Sequence, residues 1–298
     1  MRGPSTPIFD LFHQGFRGNQ AHNFVYLNNP KVACSAIKMV FWTHIAGHTP
    51  QDLEDIHDLR GSPFERDIRE MDWVREALIF SFVRNPYTRV VSAYLDKIAN
   101  RAEPTWKWFV KRYGVGKEAD VPFDVFVDLI SQDDPAELDP HWRPQYLNIC
   151  YPLIESNFIG HLETMDRQLP GILTRALGRS PEVDAHFRPH RTDARDKYRQ
   201  LLRNPLTLER VETLYARDFE YFHYARDVSH DYVPLHPMAE RDGRHDRLAD
   251  IFGYRRLWSP GKRRAFLDRF DPATPGLLGE WVQSEQAKLA HPVRRFIF

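Results

Sequence analysis

The chain has 298 residues, 42% of them hydrophobic and 13% aromatic, enough for one large buried core with an appendage. Its 41 Lys and Arg balance its 41 Asp and Glu, so no global field draws it to nucleic acid or an anionic membrane; any basic site must be local. Only Cys34 and Cys150 carry thiols, no 18 apolar residues run together, and the N-terminus lacks a signal-type stretch, so the expectation is a soluble, cytoplasmic protein with no integral membrane segment.

In chain order, "NFVYLN" at 23–28 reads as a buried strand stopped by Asn28, Asn29 and Pro30, and "SAIKMVFWTHIA" at 35–46 as a helix with Ser35 as a possible cap. A polar connection, 47–72, includes a short helix around "QDLEDIHDL". The layout then repeats: "EALIFSFVR" at 76–84 is a strand, and 85–100 a helix capped by Asn85 with Pro86 at its first position. Tyr87, Val90, Val91, Tyr94, Leu95 and Ile98 mark its buried face. Trp106, Phe109, Val110 and Tyr113 form another helical stripe, and "FDVFVDLI" at 123–130 a further one. "NFIGHLE" at 157–163 is a third strand leading into a helix that Pro170 should break or kink, and two more helices fit 193–203 and 207–219.

Strands alternating with helices predict an α/β fold with a central parallel sheet flanked by helices on both faces. Residues 1–226 form that domain. Residues 227–298 read as a C-terminal helical extension packed on it, with capped helices at 259–270 and 274–290.

Lys31 sits between the first strand and its helix. No glycines precede it, so the G-x-x-x-x-G-K-[ST] loop is absent. A strand-to-helix loop still offers free N–H groups and a positive dipole end, with Lys31 and Ser35 beside them. Arg84 closes the second strand and Ser92 lies two turns into its helix, a second seat for an anion. Two such sites at neighbouring strand ends suit a nucleotide with two separated phosphates.

These segments resemble a known family. "PKVACSAIK" is similar to the 5'-phosphosulfate loop, and "FVRNPYTRVVSAY" to the 3'-phosphate segment, of the carbohydrate sulfotransferases that modify chondroitin, dermatan and related glycans. "HWRPQYLNIC", "NFIGHLETMDRQL" and "VETLYARDFEYFHY" resemble that family's later blocks in the same order, over residues 22–226. The resemblance implies a P-loop-like three-layer fold and 3'-phosphoadenosine 5'-phosphosulfate as sulfuryl donor. It implies that Lys31, Val32, Ala33, Cys34, Ser35 and Ala36 hold the 5' side, and that Arg84 and Ser92 bind the 3'-phosphate. Ala36 stands where the family often has a hydroxyl residue. The family's animal members carry an N-terminal membrane anchor, which is not expected here.

Transfer to a hydroxyl needs a base and a cation. His141, with Asp139 or a backbone carbonyl to orient it, is the candidate base; His44, His48 and Glu163 compete, and His141 also fits a strut beside Trp142. Lys31 is the electrostatic clamp on the leaving phosphate. Arg89 reads equally as structural or ligand-binding. No metal-ligand spacing occurs and none is expected. The acceptor is a hydroxyl-bearing small molecule or saccharide. The rivals are a nucleotide-binding scaffold without turnover and a phosphotransferase on a similar fold.

Overall fold

Alternation along the strands decides the architecture. In the computed structural model, which describes residues 15–50, 56, 62–64, 72–152, 154, 156–179, 193–243 and 245, strand β1 (Phe16–Asn19) is followed by β2 (Phe24–Leu27) and α1 (Cys34–Ala46). Next come β3 (Leu78–Val83), α2 (Pro86–Ala93), a π-helical turn (Tyr94–Ala99), α3 (Thr105–Tyr113) and α4 (Phe123–Ile130). The short α5 (Gln145–Asn148), β4 (Phe158–His161), α6 (Met165–Leu177), α7 (Ala194–Leu201), α8 (Pro205–Leu214) and α9 (Ala216–Tyr221) complete the described elements.

Phe24, Tyr26, Phe80, Phe82 and Phe158 point to one face of the sheet, where Ile37 and Phe41 of α1 and Leu169, Ile172 and Leu173 of α6 cover them. Val25, Leu27, Ile79, Val83 and Ile159 point to the other, under α2, α4 and α9 through Val90, Val91, Phe126 and Phe219. Helices on both faces make the sheet a fully buried middle layer, which is why its strands read as continuous apolar runs. At Gly160 the absent side chain makes room: a Cβ there would lie 2.6 Å from Phe82 Cδ1 and 2.8 Å from Phe158 Cε1.

The sheet order is β1-β2-β3-β4, with β2-β3 and β3-β4 parallel as expected. The difference is β1, which pairs antiparallel with β2 and makes the sheet mixed. Its sequence, FRGN, has neither alternation nor β-branched residues, and it forms because the turn to β2 folds it back.

Ser35 is not the cap of α1: the cap is Ala33, in the left-handed region with no side-chain bond, and Ser35 lies inside the first turn. Asn85 does cap α2, accepting from Tyr87 and Thr88 N–H, with Pro86 first in the helix. Pro170 does not break α6, which runs through it. The 207–219 helix starts earlier, at Pro205 behind an Asn204 cap, and divides at Tyr215 into α8 and α9. The expected helices around 51–59, 259–270 and 274–290 fall outside the described residues. Residues 227–243 carry no helix, and the Arg241 and His245 N–H groups bond Asn157 O and Arg75 O of the main body. No helix among the described residues is long and apolar enough to cross a membrane.

Candidate anion-binding and transfer site

The loop from β2 to α1 is built in an unusual backbone. Lys31 (φ 69°) and Ala33 (φ 55°) both lie in the left-handed region, which costs a non-glycine residue roughly 1–2 kcal/mol. Such a backbone turns successive N–H groups to one side, and the first-turn N–H groups of α1 have no acceptor within the helix. The loop is held from behind. Arg84 Nη1 donates to Lys31 O (3.2 Å) and Arg89 Nε to Pro30 O (3.1 Å). A cradle of N–H groups at the positive end of a helix, with an ammonium beside it, fits a phosphate or sulfate oxygen.

The Lys31 ammonium rests 2.8 Å from Asp96 Oδ2, in the π-helical turn, with 8% of the lysine side chain and 19% of the aspartate exposed. Burial lowers the Lys31 pKa, and Asp96 opposes the shift. Burial would raise the Asp96 carboxyl, but Lys31 and Lys97 outweigh it and hold it at about 2. Asp96 was not foreseen; its only signal is its place four residues before the end of the amphipathic helix expected over 85–100, where a charge ordinarily faces water.

Arg84 is partly buried, its Nε on Thr88 Oγ1 at 3.0 Å. Burial lowers its pKa to about 10, with Glu163 opposing and Arg195 and Arg89 adding to the fall, so it stays charged at neutral pH. Arg195 is thus a second cation within electrostatic reach. Ser92 is on α2 and only 2% exposed. Cys34 is partly exposed as the first residue of α1; Cys150 is buried.

A buried polar network binds the segments together. Gln145 Oε1 accepts from Arg84 N (2.8 Å) and Asn29 Nδ2 (3.2 Å), and its Nε2 donates to Arg84 O (2.8 Å). Asp218 accepts from Gln145 N (2.8 Å) and Tyr146 N (2.9 Å); burial raises its carboxyl to about 6 against those bonds. Asn148 Nδ2 donates to Asn29 Oδ1 (3.2 Å) and Pro140 O (2.9 Å). Glu163 takes Asn85 N–H on Oε1 (3.0 Å) and Tyr224 O–H on Oε2 (2.7 Å), and burial raises its pKa.

His141 and Asp139 form a dyad: Nδ1 to Oδ1 is 2.6 Å, and the His141 N–H donates to the same oxygen at 2.9 Å. Burial would raise the Asp139 carboxyl, but His141 and Arg143 hold it below its usual value. The imidazole is 28% exposed. Arg89, 1% exposed, donates to Pro30 O, Arg143 O (2.8 Å) and Pro140 O (3.0 Å). One guanidinium therefore pins the Lys31 loop and the His141 loop to each other, with the Pro30 and Pro140 oxygens no more than about 8 Å apart. His44 and His48 sit at the far end of α1, some 15–20 Å along the helix from its first turn.

Fold and site together define an α/β protein with Lys31 and Arg84 at the strand-to-helix loops of its sheet and a histidine–aspartate dyad on the helix-to-helix segment that Arg89 clamps to the Lys31 loop. The sulfotransferase family is matched over residues 14–225, and the chain belongs to that family. Carbohydrate sulfotransferase 14 of Danio rerio is 32% identical over 193 residues, 57% of this chain and 52% of that protein. Its Homo sapiens counterpart is 28% identical, covering 68% of this chain and 58% of its own. Human carbohydrate sulfotransferase 9 is also 28% identical, covering 72% and 53%. The chain thus spans about half the length of these relatives. No solved structure matches significantly.

Proposed function

We propose that the protein transfers a sulfuryl group from 3'-phosphoadenosine 5'-phosphosulfate to a saccharide hydroxyl. The observation that carries this reading is the Arg89 clamp, which holds the Lys31 cradle and the His141–Asp139 dyad on one rigid support. The donor, when bound, supplies an activated sulfuryl group and a phosphate leaving group. Lys31 and the N–H groups of residues 32–36 would hold the 5' side, Arg84 and Ser92 the 3'-phosphate. The Asp139 carboxylate keeps the proton on Nδ1 of His141 and leaves Nε2 to accept the acceptor hydroxyl's proton. Glu163 is less suited to that task, because both its oxygens are engaged. The names of the relatives favour a carbohydrate acceptor. The two free cysteines favour the cytoplasm as the compartment.

The test is donor consumption with saccharide acceptors, run on the parent, Lys31→Ala and His141→Ala. If His141 is the base, its loss should cost about a hundredfold or more in turnover with little change in affinity for 3'-phosphoadenosine 5'-phosphate. Lys31→Ala should depress turnover more than it weakens that product, because charge grows on the leaving phosphate. A parent protein that binds the nucleotide but consumes no donor would favour the scaffold reading. Consumption of ATP with magnesium would favour the phosphotransferase.

A further inference from the structure

We propose that Trp108 is a stacking platform for a pyranose ring of the acceptor, beside the segment that carries His141; this rests on the saccharide reading above. In α3, Trp106 and Phe109 are 5% and 0% exposed, whereas Trp108 between them is 36% exposed. Its ring is nevertheless fixed. It lies 5.9 Å from the fully buried Trp142 at 53°, and 6.2 Å from Tyr113, edge-on at 85°. Tyr113 is itself held by its O–H to Asp133 Oδ2 at 2.7 Å. A large aromatic plate, immobilised from within and open to water, loses little freedom on contact with a ligand.

A pyranose offers an apolar C–H face and a rim of hydroxyls, and the surroundings suit both. Arg112, four residues on and so on the same helix face, forks onto Asp133 (3.1 and 3.0 Å) and reaches Glu137 at 2.9 Å. The exposed Arg112 and Glu137 head groups are suited to the rim, with the partly buried Asp133 holding Arg112 in place. Glu137 lies four residues before His141, and Trp142 directly follows it, so residues 133–142 carry both the rim and the candidate base. That segment is rigid. Arg89 clamps Pro140 O, Arg143 Nε donates to Leu138 O (3.0 Å), and Tyr215 O–H donates to Trp142 O (2.6 Å). An acceptor sugar on Trp108 would lie along the same support as the imidazole.

The experiment measures binding of an unsulfated chondroitin hexasaccharide to the protein saturated with 3'-phosphoadenosine 5'-phosphate, by calorimetry, and sulfate transfer to the same probe. Trp108→Leu keeps apolar bulk but removes the plate and should weaken hexasaccharide binding about tenfold; Trp108→Phe should stay within about threefold of the parent. Nucleotide affinity should be unchanged in both. The inference is overturned if Trp108→Leu binds like the parent, if Trp108→Phe is as weak as Trp108→Leu, or if the parent does not bind the hexasaccharide. Should the hexasaccharide bind through Trp108 and receive no sulfate, the platform stands and the transfer reading falls.

Discussion

Asp96→Asn separates the two roles of the lysine at the centre of the site. In the structure the Lys31 ammonium is occupied by a carboxylate 2.8 Å away, the same charge type that a phosphosulfate would bring. The aspartate carboxyl is held at about 2 against an ordinary 3.8, so its ionised form is favoured by about 2 kcal/mol in the folded state. That stabilisation is fully present above about pH 4 and is lost as the pH falls through 2. Burial pushes the Lys31 ammonium the other way, so part of the gain offsets its desolvation. The net loss on Asp96→Asn is therefore about 1–2 kcal/mol, a fall in Tm of roughly 2–6 °C.

Binding should move oppositely. With the competing carboxylate gone, Lys31 meets an incoming anion without first breaking an ion pair, and a repulsive charge leaves the site. About 1 kcal/mol of relief corresponds to roughly fivefold tighter 3'-phosphoadenosine 5'-phosphate. Urea melts and calorimetry at pH 7 measure the two quantities on the same preparations. A folded variant that binds the nucleotide more weakly than the parent would refute the reasoning, and would mean that Asp96 holds Lys31 in its binding position.

Arg84→Ala should narrow the affinity gap between 3'-phosphoadenosine 5'-phosphate and 5'-AMP by roughly 1.5–3 kcal/mol; calorimetry showing both weakened alike would give Arg84 a different task, such as holding Lys31 O. His161, fully buried with Nε2 on Phe222 O at 3.0 Å, is pushed down to about 4 by burial, so it binds a proton in the unfolded chain before the folded one. Its cost to stability grows as the pH falls from about 6.5 to 4, by about 3 kcal/mol, while Asp218, raised to about 6, titrates with the opposite sign. The penalty of His161→Gln relative to the parent should therefore shrink by about that amount between pH 7 and pH 4 in urea melts, and a constant penalty would remove His161 as the cause. Gly160→Ala drives a methyl into the Phe82 and Phe158 rings and should cost about 1–3 kcal/mol, seen as a lower urea midpoint with an unchanged slope.

What the sequence made legible follows from the range of the forces involved. The parallel core was readable because strands buried on both faces are apolar throughout, and α2 because Asn85, Pro86 and its buried stripe all agree. The antiparallel β1 was not, because FRGN owes its conformation to the neighbouring strand. At the candidate site, the closeness of Lys31 and Arg84 follows from the ends of two neighbouring parallel strands, and Asp139 was one of two orienting partners open to His141 because it lies two residues away. Gln145 and Asp218 lay unassigned within quoted blocks, since their partners, Arg84 and Asn29 for one and the N–H groups of 145 and 146 for the other, come from distant segments.

That network also ties five separated blocks of the sequence together in space. Gln145 cannot satisfy its amide without the end of β3 and the loop after β2, and the buried Asp218 carboxylate accepts the first two N–H groups of α5. Glu163 ties the start of α2 to Tyr224 in the same way. Removing one member leaves a buried polar atom of another block unsatisfied, at about 1–3 kcal/mol each, so the blocks hold one another in place even where a residue touches no ligand. The cradle around Lys31 inherits its shape from them: Arg84 and Arg89, which pull the Lys31 and Pro30 carbonyls back, are themselves fixed by Gln145 and by the loop that carries His141.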